Sequence, residues 1–321
     1  MQRPRPARSR WTELLAALLL SLAALLPRAV EAREQAVSEV IEGTTFVVDA
    51  PDGMRGSIED ALEVVRRDWG RTRAALGAPA GATVRVSVER VMTDWFERND
   101  IPAVPPEWAA GLAIPSRMTV LLAPGNPEWE RTLSHELAHI GVALASGGQR
   151  VPRWFNEGVA MDVSHDWDIE RITALTQAAV FGGLYTFEQI TPGYPASASG
   201  ANLAYAQSFH MVRWLRQEHG AALPARILGE MRERRVAWNV AFEAATGRTW
   251  ASAEAAWRDH VDRSFHWIPA ITGLGAGWVL LTLAGLWAWR RRLRQRRARL
   301  AALKERERGA YRADPDDIVF G

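Results

Sequence analysis

Apolar and polar residues follow two different periods along this chain. In the first part they alternate. "TTFVVDA", Thr44 to Ala50, has the β-branched content of a strand, and "ATVRVSVERV", Ala82 to Val91, sets Val84, Val86 and Val88 on one face as a half-buried strand requires. "RMTVLLA", Arg117 to Ala123, reads as a third strand, stopped by the turn residues "PGNP". Between the first two strands, Ser57 to Leu76 opens on a serine cap and continues with helical spacing, and a Pro- and Trp-bearing loop is expected over 101–115. After Glu128 the period becomes helical, predicting helices over 128–146, around "FNEGVAMDV", and over 168–181, 202–219, 224–234 and 249–265. Strands first and helices after describe an α+β chain, and no internal repeat interrupts the pattern.

Two longer apolar runs break both periods. "LLAALLLSLAALL", Leu14 to Leu26, is 13 residues, short for a membrane span, and follows an Arg-rich start. It reads as a secretory signal over 1–32, with Val30 and Ala32 as the small residues before a cleavage point. "IPAITGLGAGWVLLTLAGLWAW", Ile268 to Trp289, has 22 residues without a charge, and Trp267, Trp287 and Trp289 stand where interfacial aromatics belong. The expectation is a transmembrane helix over 267–289, then an Arg-rich cytoplasmic tail over 290–321 by the positive-inside rule. That topology makes the chain a single-pass protein of the cytoplasmic membrane and leaves 33–266 on its outer side, with 33–123 as the mixed-sheet part and 124–266 as the helical part.

Charge then removes one class of partner. The pI of about 9.4 suggests nucleic acid, but the basic excess sits at the ends: four Arg in the first ten residues, and eleven Lys and Arg against five acids from 290 on. With these set aside, 24 basic residues face 32 acidic ones over 11–289, a net of −8, so no nucleic-acid partner is expected. The chain has no cysteine, so any metal site must use His, Asp or Glu.

The candidate chemistry lies in "TLSHELAHIGVAL". Leu133, Leu137, Ile140 and Leu144 form an apolar stripe, and His135 and His139 lie one turn apart on the other side. At this spacing two imidazoles can close on one ion, and Glu136, about 100° around the helix, reaches the flank of whatever the ion binds. Two histidines do not complete a catalytic zinc site, which normally has three protein ligands and an open position. The metzincin pattern is excluded, because the positions that should hold its glycine and third histidine are Val142 and Ala145. A glutamate eighteen residues after His139, Glu157 in "WFNEGVA", is available instead.

"HELAH" followed by "PRWFNEGVA" resembles the gluzincin zinc metallopeptidases, and within them the peptidase MA-like domains; the likeness extends over about 115–260 through "AYAQSFHMVRWL", "AFEAATGRTW" and "AAWRDHV". It implies a zincin-like fold, a small mixed sheet followed by a helical catalytic part. It also implies zinc on His135, His139 and Glu157, with Glu136 as general base and Asn156 and Gly158 completing "NEG". Tyr205 is the candidate donor to the oxyanion, with His210 and Tyr185 as rivals. "RMTVLLA" is nominated as the edge strand along which a peptide substrate would lie. One position departs from the family: relatives often carry an acid four residues after the ligand glutamate, and here stands Met161, so either Asp162 next to it takes over the role or the site is weaker. The expected activity is peptide hydrolysis by a membrane-anchored zinc enzyme acting on peptides or proteins; the alternative is an inactive zinc-binding envelope module that holds a partner peptide.

Overall fold

The structure is a computed structural model describing residues 36–102, 109–125, 127–166, 169–265 and 268–310. The expected signal segment, 1–32, lies outside these residues. The chain divides into two compact units: residues up to Ala174 with Tyr185–Glu254, and Leu175–Leu184 with Ala255 onward.

The first unit is built on a five-stranded mixed sheet. Strands β1 (Val37–Ile41) and β2 (Thr44–Asp49) form an antiparallel hairpin closed by Glu42 and Gly43. Both turn residues have positive φ, 50° and 73°, as the tight two-residue turn requires. Helix α1 (Arg55–Leu76) carries the chain to β3 (Thr83–Val88), parallel to β2. It begins two residues before the expected start, so Ser57 lies in its first turn instead of capping it. After the short helix α2 (Met92–Arg98) come β4 (Gly111–Ile114) and β5 (Thr119–Leu122), and the sheet order is β1-β2-β3-β5-β4.

This order corrects the nomination of "RMTVLLA" as the edge. Its strand β5 lies between β3 and β4, and all four of its residues are buried. The edge is β4, "GLAI", inside the segment expected to be loop. Four residues framed by Pro and Gly carry too few alternations to register as a strand; pairing with β5 forms it.

The alternation read from the sequence explains the core. Phe46, Val48, Val84, Val86, Val88, Val120 and Leu122 belong to one buried cluster with Ile58, Leu62, Val65 and Trp69 of α1 and with Leu133, Leu137 and Ile140. Leu121, of opposite parity, belongs to a smaller cluster with Trp95 and Phe96 of α2. Helix α3 (Trp129–Ala145) thus buries the stripe expected of it, which turns His135 and His139 away from the sheet.

Helix α4 (Arg153–Ser164) is anchored by Trp154 and Phe155. Trp154 stacks on Trp250 at 4.5 Å and meets Phe187 and Trp238 edge-on. Helices α5 (Ile169–Phe181), α6 (Ala198–His219), α7 (Leu223–Arg234) and α8 (Trp238–Thr246) follow, then α9 (Trp250–Phe265) and α10 (Ile268–Ala310).

The second unit carries α10, where a transmembrane helix over 267–289 was expected. Among the described residues no helix is long and apolar enough to cross a membrane. The earlier part of the expected span, 267–276, falls outside what is described of the side chains. Helix α10 runs on past Trp289 through Arg290, Arg291 and Arg292 without a break. The zincin-like α+β part of the expected architecture is present, the membrane span is not found, and membrane association through this helix has no support.

Candidate metal centre and active site

Three side chains from two helices meet at the open face of α3. His135 Nε2 and His139 Nε2 each lie 3.5 Å from Glu157 Oε2, and their rings stand 4.8 Å apart at 86°. Among the described residues this group alone brings three such ligand atoms together, all within 4.8 Å. Donors about 2.0–2.1 Å from one tetrahedral ion lie about 3.4 Å apart, so the spacing fits a zinc-sized ion. Two imidazoles and a carboxylate are also the donor types such an ion takes.

The helical spacing that aligns the histidines is local, but the third group arrives by packing. Gly158 makes the approach of α4 to α6 possible: a Cβ there would stand 2.4 Å from the carbonyl oxygen of Ser208. Glu157, the neighbouring residue, is buried and turned toward the imidazoles.

Each histidine has a second nitrogen. His139 Nδ1 lies 3.1 Å from Asn156 Oδ1; an amide oxygen only accepts, so Nδ1 donates and the neutral ring keeps its Nε2 lone pair toward Glu157. His135 Nδ1 is buried without a hydrogen-bond partner. Asp162, the suggested substitute for the family's acidic residue, pairs with Arg216 instead. Met161 is fully buried.

Glu136 is held from the sheet. The backbone N–H of Ala113, in edge strand β4, donates to its Oε2 at 2.7 Å. Gly111 permits this approach, since a Cβ there would meet Thr132 Cγ2 at 2.4 Å and Glu136 Cγ at 3.0 Å. One carboxylate oxygen is thereby fixed beside the edge strand.

Beside Glu157 lies an aromatic and cationic group. Arg153 Nε lies 3.5 Å from Glu157 Oε1, and its guanidinium sits 4.9 Å over the ring of Tyr194. Tyr194 meets Tyr205 edge-on at 4.8 Å, and its hydroxyl shares a 2.7 Å hydrogen bond with Ser208 Oγ. Burial, then the nearby negative charge of Glu157, pushes the Tyr205 phenol up to about 12, so it stays a neutral donor near neutral pH. Of its rivals, His210 is about 140° around α6 from Tyr205, and Tyr185 has its hydroxyl beside Gly200, where a Cβ would stand 3.0 Å from it. Arg153 and Tyr194 escaped the sequence reading. Arg153 precedes Glu157 by one helical turn, a signal that was available, whereas Tyr194 comes from a Gly/Pro loop that no periodicity places. A cavity of about 200 Å³ with Pro115, Val142, Gln149 and Val151 in its walls adjoins His139 and Asn156.

In the metal-free chain the ligands pair with each other. Burial opposes the His139 imidazolium, yet the Glu157 carboxylate beside it raises its pKa to about 9. Burial likewise works against the Glu157 charge, and the two imidazoles overcome it, holding this carboxyl well below its usual 4.5. The raised histidine contributes stability below 6.5 that is lost as pH rises through about 9, and the depressed glutamate contributes above 4.5. The melting temperature of chelator-treated protein should therefore be greatest between about 4.5 and 6.5 and fall toward pH 9. Metal competes with the His139 proton, so metal affinity should strengthen over the same rise; an affinity flat with pH would contradict the pairing.

A mixed sheet followed by helices, with a two-histidine, one-glutamate group beside its edge strand, defines a metallopeptidase-like domain. The model of the Peptidase MA superfamily matches residues 91–263, more than half of the 321 residues, and the chain belongs to that superfamily. Among solved structures it is similar to a two-domain M1 zinc metallopeptidase mutant bound to L-tryptophan, at 15% identity and a TM-score of 0.38. That match covers 72% of this chain and 51% of the other, so the chain spans about half the length of that structure. No curated protein matches the sequence.

Proposed function

We propose that this chain is a zinc-dependent peptidase of gluzincin type, with His135, His139 and Glu157 as the metal ligands and Glu136 as the general base. The observation that carries the reading is the meeting of two imidazole nitrogens and one carboxylate oxygen within 4.8 Å, on helices that the sequence separates. Zinc bound there would supply a Lewis acid that lowers the pKa of water to about 7 and polarises a peptide carbonyl.

The protein's own groups account for the rest. Glu136 accepts the proton of the attacking water and returns it to the leaving amine, and Ala113 N–H keeps its carboxylate aimed. A peptide paired with the free edge of β4 would bring its scissile carbonyl past Glu136. Tyr205, a neutral phenol in the electrostatic reach of Glu157, donates to the developing oxyanion. The uncharged cavity beside His139 suits a small neutral side chain of the substrate. The Arg-bearing start with its apolar run, 1–32, supports an exported setting for the domain.

The test is metal analysis of the purified full chain together with cleavage of a peptide library. One zinc per chain is expected, with cleavage abolished by chelation and restored by added zinc. A chain that takes up no zinc, or that cleaves equally after chelation, would overturn the reading.

A further inference from the structure

The two imidazoles of the site are held unequally. His139 has an acceptor for its second nitrogen in Asn156, whereas His135 Nδ1 is enclosed without one. A ring whose N–H has nothing to donate to is free to swing or to take the wrong tautomer, and either removes its Nε2 from the ion. On α4 the positions that could have supplied a carboxylate are closed, Met161 being apolar and buried and Asp162 being paired with Arg216.

A carboxylate nevertheless stands beside this nitrogen. Asp166 Oδ2 lies 3.7 Å from His135 Nδ1. The chain reaches that place because His165 ends α4 in the left-handed conformation, at φ 56°, and turns the following residue back along the helix. The N–H of Asp166 closes the turn on the carbonyl of Met161 at 3.0 Å. From the other side, Arg171 Nη1 lies 3.2 Å from the Asp166 carboxylate and donates to its backbone carbonyl at 2.8 Å, while Arg131 Nη1 lies 3.8 Å from the carboxylate. Two guanidiniums and a closed turn thus hold a negative group next to the one imidazole nitrogen that lacks an acceptor.

We propose that Asp166 is the positioning residue of His135, accepting its Nδ1 proton and so keeping Nε2 on the metal, in the role that the family gives to an acid at the position of Met161. The inference rests on the zinc reading above. An approach of about 0.9 Å makes the contact a charge-assisted hydrogen bond of about 2.8 Å, within reach of a side-chain tilt when the ion draws the ring into place. The acceptor comes from the residue after the cap of α4, nine positions beyond Glu157, which explains how the site tolerates methionine where relatives carry an acid. Asp166 acts through His135 and does not touch the substrate.

The experiment compares zinc affinity of the full-length wild type, Asp166→Asn, Asp166→Ala and Asp166→Glu, by competition with a chelating indicator. Loss of the carboxylate should weaken zinc about 10- to 100-fold, more for Ala than for Asn, and Glu should recover part of the loss. A merely structural Asp166 would lower the melting temperature of metal-free and zinc-loaded protein alike; a positioning residue lowers that of the loaded protein more. A second measurement needs no variant: in the zinc-loaded wild type with ¹⁵N-labelled histidine, the Nδ1 proton of His135 should be visible and slow to exchange with water. Wild-type zinc affinity with unchanged affinity in all three variants, or a His135 Nδ1 proton that exchanges as in an exposed imidazole, overturns this assignment and leaves the peptidase reading standing. A wild type that binds no zinc overturns both.

Discussion

Glu136→Gln should lower peptide hydrolysis by about 10²- to 10⁴-fold while leaving zinc content unchanged. The substitution is nearly isosteric, and an amide oxygen can still accept the Ala113 N–H that holds Glu136 Oε2 at 2.7 Å, so the side chain should keep its place against β4. What disappears is the capacity to take a proton from water and deliver it to the departing amine. The three proposed ligands are separate side chains, and none of them loses a partner. Zinc stoichiometry and kcat/KM measured on one preparation distinguish the outcomes: metal retained with turnover lost is expected, whereas a variant that cleaves as fast as the wild type would remove Glu136 from the mechanism. The same variant separates a peptidase from a module that only binds a peptide, because a binding role survives the change.

Gly158→Ala is expected to be the most damaging single methyl group in the site. An added Cβ would lie 2.4 Å from the carbonyl oxygen of Ser208, 2.7 Å from its carbon and 2.7 Å from Val212 Cγ2. Two of these are backbone atoms of α6, which cannot swing aside as a side chain can, so α4 must move as a whole. Overpacking of this kind typically costs about 1–3 kcal/mol. Because Glu157 is the adjacent residue, the same displacement should carry its carboxylate off the imidazoles and weaken zinc binding along with the melting temperature. Gly229→Ala provides the contrast: nothing lies within 4 Å of a Cβ there, and the position is inside α7. That change should be neutral or stabilising by up to about 1 kcal/mol, through helix propensity. Equal melting temperatures and zinc affinities for Gly158→Ala and wild type would show that the close approach of α4 to α6 is not needed.

The legible and illegible parts of the chain divide by the range of the interactions that create them. The parallel strands β2, β3 and β5 were readable because alternation of Val, Phe and Leu with polar residues reflects a pleat that each strand carries on its own. Strand β1 shows weaker alternation, and its turn, Glu42-Gly43, lacks the Asn or Asp before glycine that marks such hairpins in sequence. Strand β4 is four residues whose identity comes from its neighbour, and helix α8 is nine residues held by Trp238 and Phe242 in the aromatic cluster around Trp154. Short elements of this kind are selected by packing more than by propensity. The run 268–289 carries no charge, yet among the described residues no helix reaches the length and apolarity of a membrane span.

Within the site the same division holds. Sequence by itself determined that His135 and His139 share one face of a helix whose other face is apolar, because the spacing of four and the leucine stripe are consequences of 3.6 residues per turn. It also singled out Glu157, through its likeness to a family. Only the tertiary structure decided that β4 and not β5 is the edge, that Ala113 holds Glu136, that Arg216 takes Asp162, and that Asp166 stands beside His135. These are contacts between residues far apart in the chain or on either side of a turn, and their geometry depends on how closely helices and strands approach one another, which no local period encodes.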